Sequence, residues 1–230
     1  MFTSSETLRR IIKSYLWLSH RSCTVSGNTS LPSGAKIVAL NHTYGCDPFF
    51  LPLILDEQPY FLLQDGLFSI PVIGSLFKQS GQIPVYRGTE RAREAYDQAC
   101  QYLREGKTIV LFPEGKLVPT GSRIRAKTGT IRMALETGTP IIPVGLYVPP
   151  RNLVNIKINF QGCPRSVLWQ ITGKSYMRFG TVWNPTSSLL PSPNTHALTD
   201  ELMNRIYTLV SEIEKDIPRA SQALLNPILQ

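Results

Sequence analysis

Short apolar runs alternate with helical patterns between residues 36 and 147, and this alternation is the strongest constraint on the fold. Strand-like runs are predicted at 36–40, 60–63, 82–86, 108–112 and 140–147, and helices at about 90–105 and 130–137. Such alternation is typical of an α/β domain with a largely parallel central sheet flanked by helices. The chain has 230 residues, a length that fits one well-buried domain.

We predict that residues 1–230 form a single domain with three parts. Residues 1–21 form an amphipathic helix that faces a membrane, and residues 36–147 form the α/β core. Residues 151–230 form a β-rich extension and a C-terminal helix. The strands of this extension are predicted at 154–160, 167–172 and 177–182.

The predicted N-terminal helix carries apolar side chains at helical spacing together with basic ones. The apolar set is Leu8, Ile11, Ile12, Tyr15 and Leu16, followed by Trp17, and the basic set is Arg9, Arg10 and Lys13. A basic amphipathic helix with aromatic residues is typical of a membrane interface. The same pattern also fits a helix that packs on its own domain with its charges in water, so the sequence leaves both interpretations open.

The formal net charge of +8 favours a polyanionic partner. Because there is neither a basic arm nor a known nucleic-acid reader motif, we expect an anionic membrane surface or a phosphorylated ligand and no nucleic acid. The four cysteines are scattered without a metal-binding spacing, which predicts no metal site and a reducing compartment. No apolar run is long enough to span a bilayer. We therefore expect a cytoplasmic protein bound peripherally to the cytoplasmic membrane face.

His42 and Asp47 follow the apolar run at 36–40, where the chain leaves a predicted strand. A histidine is well suited to accept a proton near neutral pH, and a carboxylate on its other ring nitrogen would orient it. Ligands of open α/β sheets bind at such strand ends. The alternative is that Asp47 only caps a helix and His42 is an ordinary loop residue.

Two further strand ends carry candidate binding residues. Arg87 follows the run at 82–86, and its planar guanidinium can bind phosphate through two hydrogen bonds. The segment Phe112-Pro113-Glu114-Gly115-Lys116 follows the apolar residues Ile109-Val110-Leu111, and Lys127 precedes the helix predicted at 130–137. A surface ion pair for Arg87 and an ordinary strand-to-loop turn for the second segment are the alternatives.

Four blocks, taken in order, resemble the lysophospholipid acyltransferase family and, within it, the 1-acylglycerol-3-phosphate acyltransferases. They are Asn41-His42 with Asp47, Gly81 with Pro84-Val85-Tyr86-Arg87, Phe112-Pro113-Glu114-Gly115, and Gly138-Thr139-Pro140-Ile141-Ile142-Pro143-Val144. The resemblance covers roughly residues 36 to 147, about half the chain.

The resemblance implies transfer of a fatty acyl group from acyl-CoA or acyl carrier protein to the free hydroxyl of a lysophospholipid, with lysophosphatidic acid giving phosphatidic acid. By this resemblance His42 is the general base and Asp47 orients it. The substrate-binding residues are then Arg87, Phe112, Pro113, Glu114, Gly115, Lys116 and Lys127. The acyl thioester is a co-substrate, and no cofactor or metal ion is implied.

The chain departs from the family pattern at two places, which keeps other functions open. Tyr44 replaces a small hydroxyl residue, and Lys116-Leu117-Val118 replaces the usual Thr-Arg-Ser. The missing arginine leaves open an acceptor other than lysophosphatidic acid, such as another lysolipid or a glycolipid. A non-catalytic lipid-binding protein at a membrane surface is a further alternative, although the intact His42 and Asp47 pair argues against it.

Overall fold

The structure is a computed structural model that describes residues 4–45, 50–160, 163–185 and 194–217. Its helices are α1 (Ser4–Leu18), α2 (Leu51–Ile54), α3 (Ile73–Gln79), α4 (Ala92–Arg104), α5 (Gly129–Thr137) and α6 (Thr195–Asp216). Its strands are β1 (Arg21–Gly27), β2 (Lys36–Leu40), β3 (Pro59–Gln64), β4 (Ile83–Val85), β5 (Thr108–Leu111), β6 (Ile141–Tyr147), β7 (Leu153–Phe160), β8 (Cys163–Gln170) and β9 (Gly173–Phe179).

Seven strands form one sheet in the order β1-β9-β6-β2-β5-β3-β4. The five neighbours from β6 to β4 are parallel, whereas β9 runs antiparallel to β6 and β1 runs parallel to β9. The prediction of an α/β domain with a largely parallel central sheet is therefore confirmed. Strands β7 and β8 form a separate antiparallel hairpin.

The two faces of the sheet carry separate hydrophobic cores. Ile37 and Ala39 of β2 face a core completed by α4, α5 and α6, while Val38 and Leu40 face a second core that contains Leu16 of α1. All five residues of β2 are buried. This explains why the strand is a continuous apolar run after Lys36, as is typical of a parallel strand covered on both sides.

Several elements differ from the sequence-based expectations. Strand β1 and helix α3 are absent from the predicted elements, because their short or mixed runs carry no clear period. The last strand of the extension was expected at 177–182 and lies at Gly173–Phe179, where it pairs with β1 and β6. Helix α6 lies where a C-terminal helix is predicted, and its side chains Leu198, Leu202 and Ile206 are buried.

Helix α1 packs partly on its own domain. Leu16 is only 4% exposed and belongs to the second core, with Ile12 packed beside it. This corrects the expectation that Leu16 and Ile12 form part of a membrane-facing surface. Trp17 and Leu18, by contrast, are 75% and 69% exposed. Within the described ranges, no helix is both long and apolar enough to cross a bilayer.

Candidate functional site

The candidate site lies at the carboxyl edge of the parallel strands. His42 follows β2 and Glu114 follows β5, and these strands are hydrogen-bonded neighbours. Adjacent parallel strands end at the same edge, so their exit loops meet there, as in other open α/β sheets. The site is thus formed by two loops that are about 70 residues apart in the sequence.

Glu114 is a buried carboxylate that connects three parts of the chain. Its Oε2 accepts a hydrogen bond of 2.6 Å from the backbone N–H of His42, and its Oε1 accepts one of 2.7 Å from the hydroxyl of Tyr207 in α6. Only 3% of the residue is exposed. A charged acceptor strengthens both bonds relative to neutral pairs. The described residues 41–45 after β2 are called the histidine loop. Glu114 therefore holds this histidine loop against the sheet and against α6.

Whereas Glu114 bonds the backbone of His42, the ring of His42 contacts Phe112. It stacks on the ring of Phe112 with the centroids 4.1 Å apart and the planes 26° apart. The carbonyl of His42 accepts a hydrogen bond of 2.7 Å from the N–H of Val118. The segment after Gly115 thus folds back onto the histidine loop. The stacking on Phe112 restrains the His42 ring, as base catalysis in a fixed geometry requires.

Gly115 lies in a tight turn, and its lack of a side chain leaves space for the side chain of Lys127. Its φ of +66° lies in the left-handed region, and its N–H bonds to the carbonyl of Phe112 at 2.9 Å. A Cβ at this position would lie 3.0 Å from Cε of Lys127. The N–H of Lys127 in turn donates to the carbonyl of Pro113 at 2.8 Å. The turn therefore leaves room for the Lys127 side chain directly over Gly115.

Asn41 and Tyr44 explain how the histidine loop stays attached to β6. The side-chain amide of Asn41 donates to the carbonyl of Leu146 at 2.9 Å, and its oxygen accepts from the Leu146 N–H at 2.8 Å. The hydroxyl of Tyr44 similarly bridges the carbonyl and N–H of Val148, at 3.4 and 3.3 Å. The tyrosine that departs from the family pattern is thus a buried structural residue.

The hairpin β7–β8 contacts the same loop. The N–H of Gly45 donates to the carbonyl of Leu168 at 2.9 Å, and a Cβ on Gly45 would lie 2.6 Å from Val167. Only glycine allows this close approach. The hairpin therefore closes one side of the segment that runs from His42 to Gly45.

Tyr207 is the residue of this site that sequence reasoning missed. It lies on α6, 93 residues after Glu114, and the guanidinium of Arg123 stands 4.7 Å from the centroid of its ring. Burial, and next the hydrogen bond to Glu114, raises the pKa of the Tyr207 hydroxyl, so the hydroxyl stays a donor at neutral pH. No motif signals this residue.

The remaining predicted site residues are Arg87, Lys116 and Asp47. Arg87 follows β4 at the same edge of the sheet but is exposed, and it makes no ion pair with the described residues. Lys116 is also exposed. Asp47 lies outside the described residues, so its pairing with His42 stays a prediction. No group of three or more His, Cys, Asp or Glu in the described segments is arranged to hold a metal ion.

With this geometry in place, comparison with known proteins defines the class. The family described as Acyltransferase matches residues 22–147, more than half of the chain, and the chain belongs to this family. The match includes the histidine loop and the Phe112–Gly115 turn. It ends before the β7–β8 hairpin and α6.

Two relatives agree with this assignment. A 1-acyl-sn-glycerol-3-phosphate acyltransferase of Borreliella burgdorferi is 33% identical over 142 residues, which are 61% of this chain and 57% of that protein. The chloroplastic 1-acyl-sn-glycerol-3-phosphate acyltransferase BAT2 of Brassica napus is 29% identical over 53% of this chain and 36% of its own length. The chain thus matches little more than half of the first relative and about a third of the second.

The crystal structure of the 1-acyl-sn-glycerophosphate acyltransferase PlsC from Thermotoga maritima superposes with a TM-score of 0.70 and 20% identity. The superposition covers 91% of this chain and 79% of that one. At this identity the match establishes a shared fold, and that fold extends beyond residues 22–147.

Replacing Glu114 tests its bridging role. Glu114→Ala removes the acceptor for the His42 N–H and the Tyr207 hydroxyl, and an unsatisfied buried group costs about 1–3 kcal/mol. We therefore expect the free energy of unfolding, measured with urea, to fall by about that amount. Glu136→Ala is the matched control, because Glu136 also accepts from a tyrosine hydroxyl but lies at the surface. A loss no larger than that of the control would contradict a bridging role.

Proposed function

We propose that this protein is an O-acyltransferase that moves a fatty acyl group from acyl-CoA or acyl carrier protein to the free hydroxyl of a lysophospholipid. Lysophosphatidic acid is the proposed acceptor, and phosphatidic acid is then the product. Membership of the acyltransferase family and the names of the relatives support this assignment. The observation that carries it is the restrained imidazole of His42 at the carboxyl edge of the sheet, stacked on Phe112 beside the Glu114 turn.

In the proposed reaction His42 takes the proton of the acceptor hydroxyl as the oxygen attacks the thioester carbonyl. The new C–O bond forms, the C–S bond breaks, and the proton passes to the departing thiolate to give a free thiol. Asp47 is proposed to orient the ring through its second nitrogen. General base catalysis contributes roughly 10²–10⁴-fold, so alignment of the two substrates must supply much of the rest.

Basic residues around the site are proposed to bind the acceptor phosphate. Lys127 lies over Gly115, and the guanidinium of Arg123 stands against the ring of Tyr207, so both cations contact residues of the site. Lys116 and Arg87 are exposed at the same edge of the sheet and are free to reach a ligand. Arg87 is the proposed bidentate ligand, since an arginine fork matches two phosphate oxygens.

The acceptor and product are amphiphiles, so the site has to meet a bilayer. Trp17 and Leu18 expose most of their surface, while Arg9, Arg10 and Lys13 of the same helix are suited to anionic headgroups. Helix α1 also contacts α3, and just before α3 Val72 is 80% exposed. We propose that the surface with Trp17, Leu18 and Val72 lies on the membrane. The buried Leu16 of α1 then stays in the domain and does not enter the interface.

The general base is tested by His42→Ala. Because His42 contributes its ring to the site and little to the core, the variant should stay folded and lose about 10²–10⁴-fold in kcat. Transfer of a radiolabelled acyl group from acyl-CoA to lysophosphatidic acid measures this. His196→Ala, which removes an exposed imidazole on α6, is the control and should keep wild-type turnover. A His42→Ala variant that retains more than a few per cent of turnover rules out this mechanism.

The phosphate contact is tested by Arg87→Lys. The substitution keeps the charge and removes the planar fork, so KM for lysophosphatidic acid should rise several-fold. KM for an uncharged monoacylglycerol should hardly change. Arg91→Lys is the matched control, because Arg91 is exposed nearby and pairs with Glu94 instead. Equal losses on both acceptors would give Arg87 a structural role and favour a different lysolipid or a glycolipid as acceptor.

The membrane surface is tested by a double variant that spares the core. Trp17→Gln with Leu18→Gln removes exposed apolar area while leaving the buried Leu16 in place. Binding to phosphatidylglycerol vesicles, measured by co-sedimentation at low salt, should fall about tenfold or more, since each buried side chain contributes on the order of 1 kcal/mol. Ile171→Gln with Val182→Gln removes exposed apolar residues elsewhere and should leave binding unchanged. Unchanged binding in the first variant would contradict the proposed face.

A further inference from the structure

The residues of α6 lie outside the segment that matches the acyltransferase family, yet one of them reaches the site. The Tyr207 hydroxyl donates to Oε1 of Glu114 at 2.7 Å, and Oε2 of the same carboxylate accepts from the His42 N–H at 2.6 Å. A continuous path of two hydrogen bonds therefore joins a helix of the C-terminal extension to the backbone of the proposed general base.

We propose that Tyr207 is a positioning residue of the acyl-transfer site, which acts through Glu114 to hold His42 in place. This inference rests on the proposed function. Tyr207 itself makes no contact with the reacting atoms in the proposed mechanism.

The geometry explains why the hydroxyl is needed. A carboxylate with one bonded oxygen can rotate about its terminal torsion, which has a broad energy profile, whereas a carboxylate held at both oxygens is fixed. Glu114 is buried, so water cannot readily replace a lost donor. If the carboxylate rotates, the His42 N–H bond lengthens and the loop shifts. A displacement of about 1 Å at a reacting group costs up to about 10²-fold in rate.

Tyr207→Phe isolates this contribution. The variant keeps the ring that stands against the guanidinium of Arg123 and removes only the hydroxyl. The chain also offers a matched control, because the hydroxyl of Tyr96 donates to Oε2 of Glu136 at 2.8 Å. Tyr96→Phe removes the same kind of bond between two helices that take no part in the site.

The first measurement is steady-state kinetics. Tyr207→Phe should lower kcat by about tenfold, the effect of losing one hydrogen bond to a charged group, and change KM for the acyl donor by less than about twofold. Tyr96→Phe should leave both constants at the wild-type values. A purely structural role of Tyr207 would lower the fraction of folded enzyme instead, and the thermal unfolding midpoint reports this directly.

The second measurement does not depend on activity. Histidine labelled with ¹⁵N gives three backbone amide signals, from His20, His42 and His196, because the chain has three histidines. Loss of the His42 signal in His42→Ala assigns it. Tyr207→Phe should move this signal, since the bond from the His42 N–H to Glu114 changes, and should leave the other two in place. Tyr96→Phe should move none.

The outcomes separate the two hypotheses. A wild-type protein without acyl transfer would reject the proposed function, while the amide signals would still decide whether Tyr207 positions His42. An active wild type whose Tyr207→Phe variant keeps kcat would overturn the inference, whatever the spectrum shows. A fall in kcat without movement of the His42 signal would also overturn it, because Tyr207 would then act by another route.

Discussion

Strand β2 is hydrogen-bonded to β5 along one edge and to β6 along the other, and all five of its residues are buried. This central position constrains everything around it. Alternate side chains of β2 pack into two separate cores on opposite faces of the sheet, so helices must cover both faces. Because β2 and β5 are parallel neighbours, their exit loops are brought together at one edge. The bond from the His42 backbone to Glu114 depends directly on this pairing.

Much of this arrangement could be predicted from residues 36–147, because strand-like runs and the residues that follow them are local features. The meeting of His42 with the Phe112–Gly115 turn follows from parallel pairing alone. The contact of Tyr207 with Glu114 and the contact of Gly45 with β8 could not be predicted in the same way. Both depend on partners far away in the sequence, and Tyr207 lies at the margin of the apolar face of α6, where a half-buried tyrosine looks like an ordinary packing residue. Strand β1 was missed because its residues alternate only weakly between buried and exposed.

The two departures from the family pattern acquire a physical reason in the structure. Tyr44 is almost fully buried and bonds both backbone groups of Val148, so it extends the attachment of the histidine loop beyond β6. Val118 is buried as well and bonds to the carbonyl of His42. The segment that usually presents an arginine therefore serves here to close the loop. Positive charge at the site comes instead from Lys127, which lies over Gly115, and from Arg123, which stands against the ring of Tyr207.

The long sequence separation between Glu114 and Tyr207 also has a consequence for folding. The two residues are 93 positions apart, and ribosomes add about 5–20 residues per second, so Glu114 is synthesised roughly 5–20 s before its partner on α6. The parallel strands are themselves distant in sequence, which slows their pairing. During this interval the carboxylate of Glu114 and the part of the sheet that α6 covers lack that helix. Nascent chains that have not yet made α6 should be the species most dependent on chaperones.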